Sequence, residues 1–154
     1  MGIDSTFLSA FAKSQIACGT ILPSKGKVFI SIDDDNKKFI LTIVKKLIDL
    51  NFIIVATKGT AKFLNDNNLK VETINKVKEG GSHIVKAIAD NLIDLVINTT
   101  KTQGSIRDSY SIRRSALTFN IPYYTTIAGA KVAVDTIEHL KNNNLKVKSL
   151  QDLI

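Results

Sequence analysis

The sequence has few of the residues on which several common classes of protein depend. It contains one cysteine, two histidines, two prolines and no tryptophan in 154 residues. The single Cys18 excludes a disulfide framework within the chain and is typical of a reducing cytosol. The two histidines, His83 and His139, stand in no spacing that resembles a metal site. No apolar run approaches a membrane span, and the N-terminus lacks the apolar core of a signal peptide. We therefore expect a cytoplasmic protein without a membrane partner or a bound metal.

Aromatic residues are also scarce, at 6%, although the chain is basic, with a net charge of +7. A basic protein favours anionic partners, including nucleic acid. The lysines are spread along the whole chain, however, and only Arg107, Arg113 and Arg114 cluster. No basic run interleaves aromatics as a stacking platform for nucleic acid would need. A small anionic ligand explains the charge at least as well, so we expect no nucleic-acid partner.

Apolar segments of two kinds alternate along the chain and predict an α/β fold. Short β-branched runs indicate strands, and apolar residues three and four apart indicate helices. Alternating strands and helices form parallel sheets covered on both faces. We predict a three-layer αβα domain with a mainly parallel five-stranded sheet. The predicted strands are 27–32, 52–56, 69–74, 92–98 and 121–124; the predicted helices are 4–17, 37–48, 60–65, 83–90, 108–119 and 127–140.

The first predicted helix is set apart from the rest of the chain. Residues 19–26 contain two glycines and Pro23 and read as a linker. We therefore divide the chain into a helix and linker over residues 1–24, from a preceding interdomain region, and a domain over 25–154. The alternative is that this helix, capped by Asp4 or Ser5, folds back on its own domain.

The second strand ends in a turn suited to an anion. Thr57, Lys58, Gly59 and Thr60 separate it from an apolar helical pattern. Backbone N–H groups at a helix start are unpaired and face the positive end of the helix dipole. The threonine hydroxyls could donate to a phosphate, while the glycine lets the backbone approach it. The alternative is an ordinary capped turn with Thr60 as the N-cap. The spacing of a P-loop is absent.

Other polar residues follow the remaining strands, and ligands of such sheets bind beyond the carboxyl ends of the strands. The same rim therefore gathers Ser31, Lys76, residues 98–100 and residues 123–126. This chemistry suits phosphate and sugar and is short of acids and bases. Asp33-Asp34-Asp35 could ligate a metal or could cap a helix, and His83 could be an acid–base group or a surface residue at a helix start.

Several separate motifs, in order, make the chain resemble one known family. They are Ala56-Thr57-Lys58-Gly59-Thr60-Ala61, Asn75-Lys76-Val77 with Glu79-Gly80, Ile97-Asn98-Thr99-Thr100, and Asp108-Ser109 leading to Ile112-Arg113-Arg114-Ser115-Ala116-Leu117. The family is the methylglyoxal-synthase-like domain at the C-terminus of the large subunit of carbamoyl phosphate synthase. The likeness covers the chain from Phe7 to about Leu140. The leading stretch Phe11-Ala12-Lys13-Ser14-Gln15 resembles the end of the preceding domain of that subunit.

The resemblance implies an allosteric module that binds UMP as inhibitor or IMP as activator and does not itself catalyse. The parent ligase makes carbamoyl phosphate from ATP, bicarbonate and glutamine, for pyrimidine and arginine synthesis. Its partners would be the rest of the large subunit and a small glutaminase subunit. The parent uses ATP with Mg or Mn, and no cofactor is expected in this fragment. By motif, the implied nucleotide contacts are Ser31, Lys37, Thr57, Lys58, Gly59, Thr60, Lys76, Asn98, Thr99 and Thr100.

The sequence departs from the family pattern at the segment that would bind ornithine. The family's Tyr-Asp-Thr-Thr is here Tyr123-Tyr124-Thr125-Thr126. Tyr123 and Thr125 match as ornithine-side residues. Tyr124 replaces the carboxylate that would pair an amine, which argues against a normal ornithine response.

The alternative function is methylglyoxal synthase itself, a lyase on the same fold acting on dihydroxyacetone phosphate. That reaction needs a carboxylate base in a Gly-Gly-Asp context, whereas Gly80-Gly81 is followed here by Ser82. The family's second aspartate aligns near Thr100-Lys101-Thr102 and is absent too. A serine cannot abstract a carbon-bound proton without an activating base. The sequence therefore favours the regulatory domain.

Overall fold

The computed structural model describes residues 1–75, 83–99 and 103–153. The strands are β1 (Gly26–Ser31), β2 (Phe52–Thr57), β3 (Glu72–Ile74), β4 (Leu95–Asn98) and β5 (Tyr123–Tyr124). The helices are α1 (Phe7–Ala17), α2 (Lys37–Asp49), α3 (Lys58–Asp66), α4 (Ile84–Ala89), α5 (Gln103–Thr118) and α6 (Ile127–Asn142), with 3-10 turns at Asp34–Asn36 and Leu150–Leu153. None of the helices in this part of the chain is long and apolar enough to cross a membrane.

All five strands are parallel and lie in the order β3-β2-β1-β4-β5. The chain moves outward from β1 to β3, then returns to β4 on the other side of β1. The order therefore reverses between β1 and β4, where Ser31 lies opposite Asn98. The α/β prediction is confirmed. Such a reversal opens a crevice at the carboxyl ends of the strands.

Two apolar clusters, one on each face of the sheet, hold the three layers together. Side chains alternate between the faces of a strand, so Val28 and Ile30 enter one cluster and Phe29 the other. The first cluster packs α2, α3 and α6 against the sheet, and the second packs α4 and α5. Most of these side chains are inaccessible to solvent, and their burial is the main favourable term in folding.

An asparagine in the left-handed conformation ends each of the four helices α2 to α5. These residues are Asn51 (φ 66°), Asn68 (φ 61°), Asn91 (φ 55°) and Asn120 (φ 53°). After the last three, the next N–H bonds a carbonyl five residues earlier: Leu69 to Leu64, Leu92 to Ala87 and Ile121 to Ala116. This is the Schellman arrangement, with asparagine where glycine is commoner. The sequence reading missed these four caps.

The caps explain why two strands begin later than predicted. Leu69 and Leu92 were assigned to strands because they belong to apolar runs. Their N–H groups instead close the preceding helices, so β3 begins at Glu72 and β4 at Leu95. Helix α5 also begins earlier than predicted, at Gln103 rather than after Asp108.

Helix α1 packs on the domain. Its N-cap is Thr6, whose side chain accepts from Ser9 N, and not Asp4 or Ser5 as predicted. Ser9 Oγ lies 3.0 Å from His139 Nε2 on α6. The structure therefore has the arrangement given above as the alternative, a helix folded back on its domain. The division at residue 24 stays a prediction.

An ion-pair network joins α2 to α6 at the surface. Lys46 Nζ lies 2.7 Å from Asp135 Oδ1 and 2.9 Å from Glu138 Oε2, and Lys131 Nζ lies 2.7 Å from Asp135 Oδ2. These hydrogen bonds to Asp135 and Glu138 raise the pKa of Lys46. Burial acts to raise the pKa of Asp135, but the hydrogen bonds from Lys131 and Lys46 outweigh it, and the pKa is lowered.

Candidate functional site

Three polar side chains meet on one face of the sheet at the carboxyl ends of its central strands. Ser31 and Asn98 follow Phe29 and Val96 by two residues, so they face the same side as the α4–α5 cluster. Thr57, at the end of β2, lies next to Ser31, with its Oγ1 3.4 Å from Ser31 Oγ. Asn98 and Thr57 are 3% and 4% exposed. The sheet thus brings Ser31 next to Thr57, 26 positions later, and next to Asn98, 67 positions later.

The start of α3 is open to a ligand. Thr57 is the N-cap residue, with extended backbone, and its side chain makes no capping hydrogen bond. Thr60 lies inside the helix and is therefore not the N-cap, which corrects that alternative. Lys58 and Gly59 are exposed, and a Cβ added at Gly59 would meet no atom of residues 1–75, 83–99 or 103–153 within 4 Å. Thr57 therefore does not cap the first turn of α3, and no atom of the described residues fills the space next to the Gly59 Cα.

Two buried threonines hold the chain that leaves β1. Thr60 Oγ1 accepts a hydrogen bond from Ile32 N at 3.1 Å, and Thr99 Oγ1 accepts one from Asp33 N at 3.1 Å. A hydroxyl that accepts still has its own proton to donate. Both threonines therefore position the loop beside the site, a role that the motif likeness did not predict.

Asn98 is fixed in orientation by two hydroxyls. Its Nδ2 donates to Ser109 Oγ at 3.1 Å and to Tyr123 OH at 2.9 Å. Because a side-chain amide has only two N–H donors, the carbonyl oxygen is the atom left for a ligand. Tyr123, predicted on the ornithine side, is thus brought to the central site. Ser109 was not predicted as a site residue, although it lies in one of the motifs that carry the likeness.

Two lysines described by the structure lie on or beside α3. Lys37 Nζ lies 2.6 Å from Asp34 Oδ1 and 6.0 Å from the centre of the Phe63 ring on α3. Lys58 is exposed at the first position of α3. The predicted contacts Lys76 and Thr100 lie outside the described residues. Thr125 is exposed after β5.

Comparison with known proteins assigns the chain to a family. The family model for the MGS-like domain matches residues 39–125. The chain belongs to this family. It is 45% identical over 152 residues to the carbamoyl phosphate synthase large chain of Mesorhizobium japonicum, covering 99% of this chain and 13% of that one. The corresponding large chain of Myxococcus xanthus is 44% identical over 154 residues, 100% of this chain and 14% of that one.

A further relative is named as the C-terminal section of the large chain, from Methanopyrus kandleri. It is 45% identical over 154 residues, which are 99% of this chain and 28% of the relative. The MGS-like domain therefore spans only a small part of the length of the proteins it matches.

The candidate acid–base and metal residues of this MGS-like domain cap helices. His83 is the N-cap of α4, and its Nδ1 accepts from Lys86 N at 3.4 Å. Asp33 caps the 3-10 turn, and its Oδ1 accepts from Asn36 N at 3.2 Å. The capping interpretation of Asp33 is confirmed. His83 stands at a helix start, as its alternative proposed, and is itself the N-cap, which the sequence did not predict. Over residues 1–75, 83–99 and 103–153, no group of three or more His, Cys, Asp or Glu could hold a metal ion.

Tyr124, which departs from the family pattern, faces away from Asn98. Its ring packs against the cluster on the α2–α6 face, and its OH donates to Gln15 Oε1 of α1 at 3.0 Å. Burial raises the pKa of Tyr124 to about 12, so the hydroxyl stays protonated and able to donate. The MGS-like domain uses this position to hold α1.

Proposed function

We propose that this domain binds a nucleoside monophosphate, UMP or IMP, at the carboxyl ends of β1, β2 and β4, and that it regulates a carbamoyl phosphate synthase large chain. The observation that carries the proposal is the start of α3, where the N-cap residue Thr57 makes no side-chain capping bond and lies beside the Ser31 hydroxyl. The names of the relatives support the parent enzyme. The parent reaction with ATP, a divalent metal, bicarbonate and glutamine, and the partnership with a small glutaminase subunit, belong to the same proposal.

The phosphate would lie at the start of α3. The Gly59 and Thr60 N–H groups and the helix dipole favour an anion there, and Lys37 and Lys58 add positive charge nearby. A hydrogen bond to a charged group contributes about 1.5–3 kcal/mol. Three or four such bonds supply micromolar affinity, about −8 kcal/mol, once the entropic cost of association is subtracted.

The nucleoside would extend from α3 across the end of β1 towards β4. Both N–H groups of the Asn98 amide donate to protein hydroxyls, those of Ser109 and Tyr123. The side-chain carbonyl oxygen is therefore the atom that would accept from the ligand. That oxygen needs a donor on the ligand, which a ribose hydroxyl or a base N–H supplies. A phosphate needs donors from the protein, and the site provides them at the opposite end. The two ends of the site therefore match the two ends of a nucleotide.

The domain would bind this ligand without transforming it. A lyase reaction requires a base within reach of the substrate carbon. His83, the acid–base candidate named from the sequence, accepts a capping bond from Lys86 N. The Asp33 carboxylate likewise caps the 3-10 turn. We propose that binding energy is used instead to bias the conformation of the longer chain, a coupling that is typically about 1–3 kcal/mol.

Calorimetric titration of the 154-residue chain tests the proposal. UMP and IMP are titrated with uridine and inosine as controls that lack the phosphate. We expect micromolar binding of at least one monophosphate, and binding at least about 100-fold weaker for its nucleoside, because the charged hydrogen bonds are lost. Equal affinities for nucleotide and nucleoside would contradict the phosphate position.

Two further measurements test the alternative functions, nucleic-acid binding and lyase activity. An oligonucleotide titrated at two salt concentrations tests nucleic-acid binding, which would be tight and would fall steeply with salt. Incubation with dihydroxyacetone phosphate tests the lyase activity, and we expect no methylglyoxal.

A further inference from the structure

One short segment, residues 120–124, contacts both the candidate site and helix α1. On one side Tyr123 OH accepts from Asn98 Nδ2 at 2.9 Å. On the other side Tyr124 OH donates to Gln15 Oε1 at 3.0 Å. Because adjacent residues of a strand point to opposite faces, the two tyrosines carry these contacts through the sheet.

We propose that segment 120–124 couples occupancy of the nucleotide site to the docking of the C-terminal end of α1. The inference rests on the proposed function, since it names the contacts by which nucleotide binding at that site would affect the rest of the chain. In a longer chain, α1 would then transmit the state of the site to whatever it contacts.

The segment is a weakly held element of the sheet. Strand β5 has two residues and, within the described sheet, pairs with β4 alone, through Val96 with Tyr123 and Ile97 with Tyr124. A central strand of this sheet is held on both sides, whereas β5 lies at the edge. Elements with few backbone hydrogen bonds open most readily. The side-chain bonds of the two tyrosines therefore add to the few backbone bonds, such as Val96 N to Pro122 O, that hold β5 in place.

The C-terminal end of α1 is held by this segment in particular. Asn120 Nδ2 donates to Gly19 O at 3.0 Å, which adds to the bond between Gln15 and Tyr124. Around these two bonds, α1 and the end of α5 are separated by a cleft. Its lining includes Gln15, Asn120 and both tyrosines. The N-terminal half of α1 is held elsewhere, by Ser9 and His139. A shift of the segment should therefore act on one end of α1 and spare the other.

A ligand on Asn98 would stabilise the segment for a simple reason. The carbonyl of Asn98 is the ligand's contact, and its two N–H groups are the contacts of Ser109 and Tyr123. A ligand donor on the carbonyl fixes the plane of the amide and so favours the bond to Tyr123. The Tyr123 ring is also held by Arg113, whose guanidinium lies over it at 5.6 Å from the ring centre. Restricting Tyr123 restricts β5 and hence Tyr124, which is a coupling between two sites in the thermodynamic sense.

Hydrogen exchange with and without saturating UMP tests the coupling on the full chain. In the wild type we expect UMP to slow exchange at least about threefold in peptides covering residues 13–20, with no comparable change over residues 7–10. Tyr124→Phe, which deletes one hydroxyl and keeps the packed ring, should abolish the response at residues 13–20. Because coupling is reciprocal, its UMP affinity should fall by no more than the factor by which UMP slows exchange in the wild type. The hydroxyl is on the far face of the sheet, so no direct ligand contact is lost.

Tyr110→Phe is the matched control, since Tyr110 is 65% exposed on α5, and it should keep the full response. Gln15→Ala removes the partner and should reproduce the loss seen with Tyr124→Phe. UMP binding without slower exchange at residues 13–20, or a full response in Tyr124→Phe, would overturn the coupling alone. No heat of UMP binding in the wild type would overturn the proposed function, and the coupling with it.

Discussion

Substitution of Gly59 by alanine should stabilise the free domain and weaken ligand binding at the same time. Gly59 is the second residue of α3 and is not among the residues with positive φ. An added Cβ meets none of the described atoms within 4 Å, so alanine fits among them without strain. Glycine in a helix costs up to about 1 kcal/mol relative to alanine, with less expected near a helix end. For a chain of this size about 1 kcal/mol raises the melting temperature by about 2–4 °C.

The effect on binding has the opposite sign. The clear space in front of Gly59 is where the phosphate would approach the first-turn N–H groups of α3. A methyl group there pushes the anion away from those donors. Loss of one charged hydrogen bond, about 1.5–3 kcal/mol, weakens UMP at least about tenfold. Differential scanning fluorimetry without ligand gives the first quantity, and calorimetry with UMP gives the second.

Thr42→Ala provides the control, because Thr42 is exposed on α2 and alanine raises helix propensity there too. It should stabilise the domain slightly and leave UMP affinity unchanged. A Gly59→Ala variant that gains stability and binds UMP as tightly as the wild type would refute the position of the ligand. A variant that loses stability would refute the geometry of the helix start.

Three further predictions follow from other contacts. Thr60→Val removes the acceptor for the buried Ile32 N–H and should destabilise the domain by about 1–3 kcal/mol in urea unfolding; a change below about 0.5 kcal/mol, as for a surface site, would contradict this role. Asp34→Asn releases Lys37 from its ion pair and should strengthen UMP binding about two- to threefold by calorimetry at low salt; weaker binding would mean that Lys37 does not face the anion. Asp135→Asn should cost about 1 kcal/mol at pH 7. Since the folded pKa of Asp135 is lowered, that contribution is present above about pH 4, the usual unfolded value, and disappears as the pH falls through the lower folded value. Urea unfolding at pH 7 and pH 3 should therefore show the gap between variant and wild type closing on acidification; a constant gap would contradict the ion-pair account.

The parts of the fold that the sequence predicted well are those where one physical signal acts alone. The run before Ser31 and the run before Thr57 are continuously apolar because both faces of these central strands are covered. The stripe on α2 is equally clear, and Ile40, Ile43 and Leu47 are all buried. The positions of the central strands and their parallel direction followed from these patterns, whereas the strand order came from the structure.

The boundaries were harder because one residue can satisfy two patterns. Leu69 and Leu92 look like strand residues from their apolar neighbours, but each closes the helix before it. Asparagine is a weaker signal of a left-handed cap than glycine, so the sequence analysis did not identify Asn68 and Asn91 as caps. The hydrogen bonds of the backbone N–H groups determine where these helices end and the strands begin. Hydrophobic periodicity carries no information about these bonds.

The candidate site, like the fold, has features that local sequence patterns predicted and contacts that they could not predict. The motif around Gly59 located the helix start, and strand order placed Ser31 beside it. The contact between Asn98 and Tyr123 spans 25 residues and two strands, so no local pattern could reveal it. The bond from Tyr124 to Gln15, 109 residues apart, likewise needed the fold. The role of Thr60 as acceptor for Ile32 N also required coordinates.

A crystal structure of the chain soaked with UMP tests the central claim most directly. The account predicts the phosphate within hydrogen-bonding distance of the Gly59 and Thr60 N–H groups, with a ribose or base donor directed at the Asn98 carbonyl. UMP bound elsewhere, with the start of α3 empty of ligand, would contradict it.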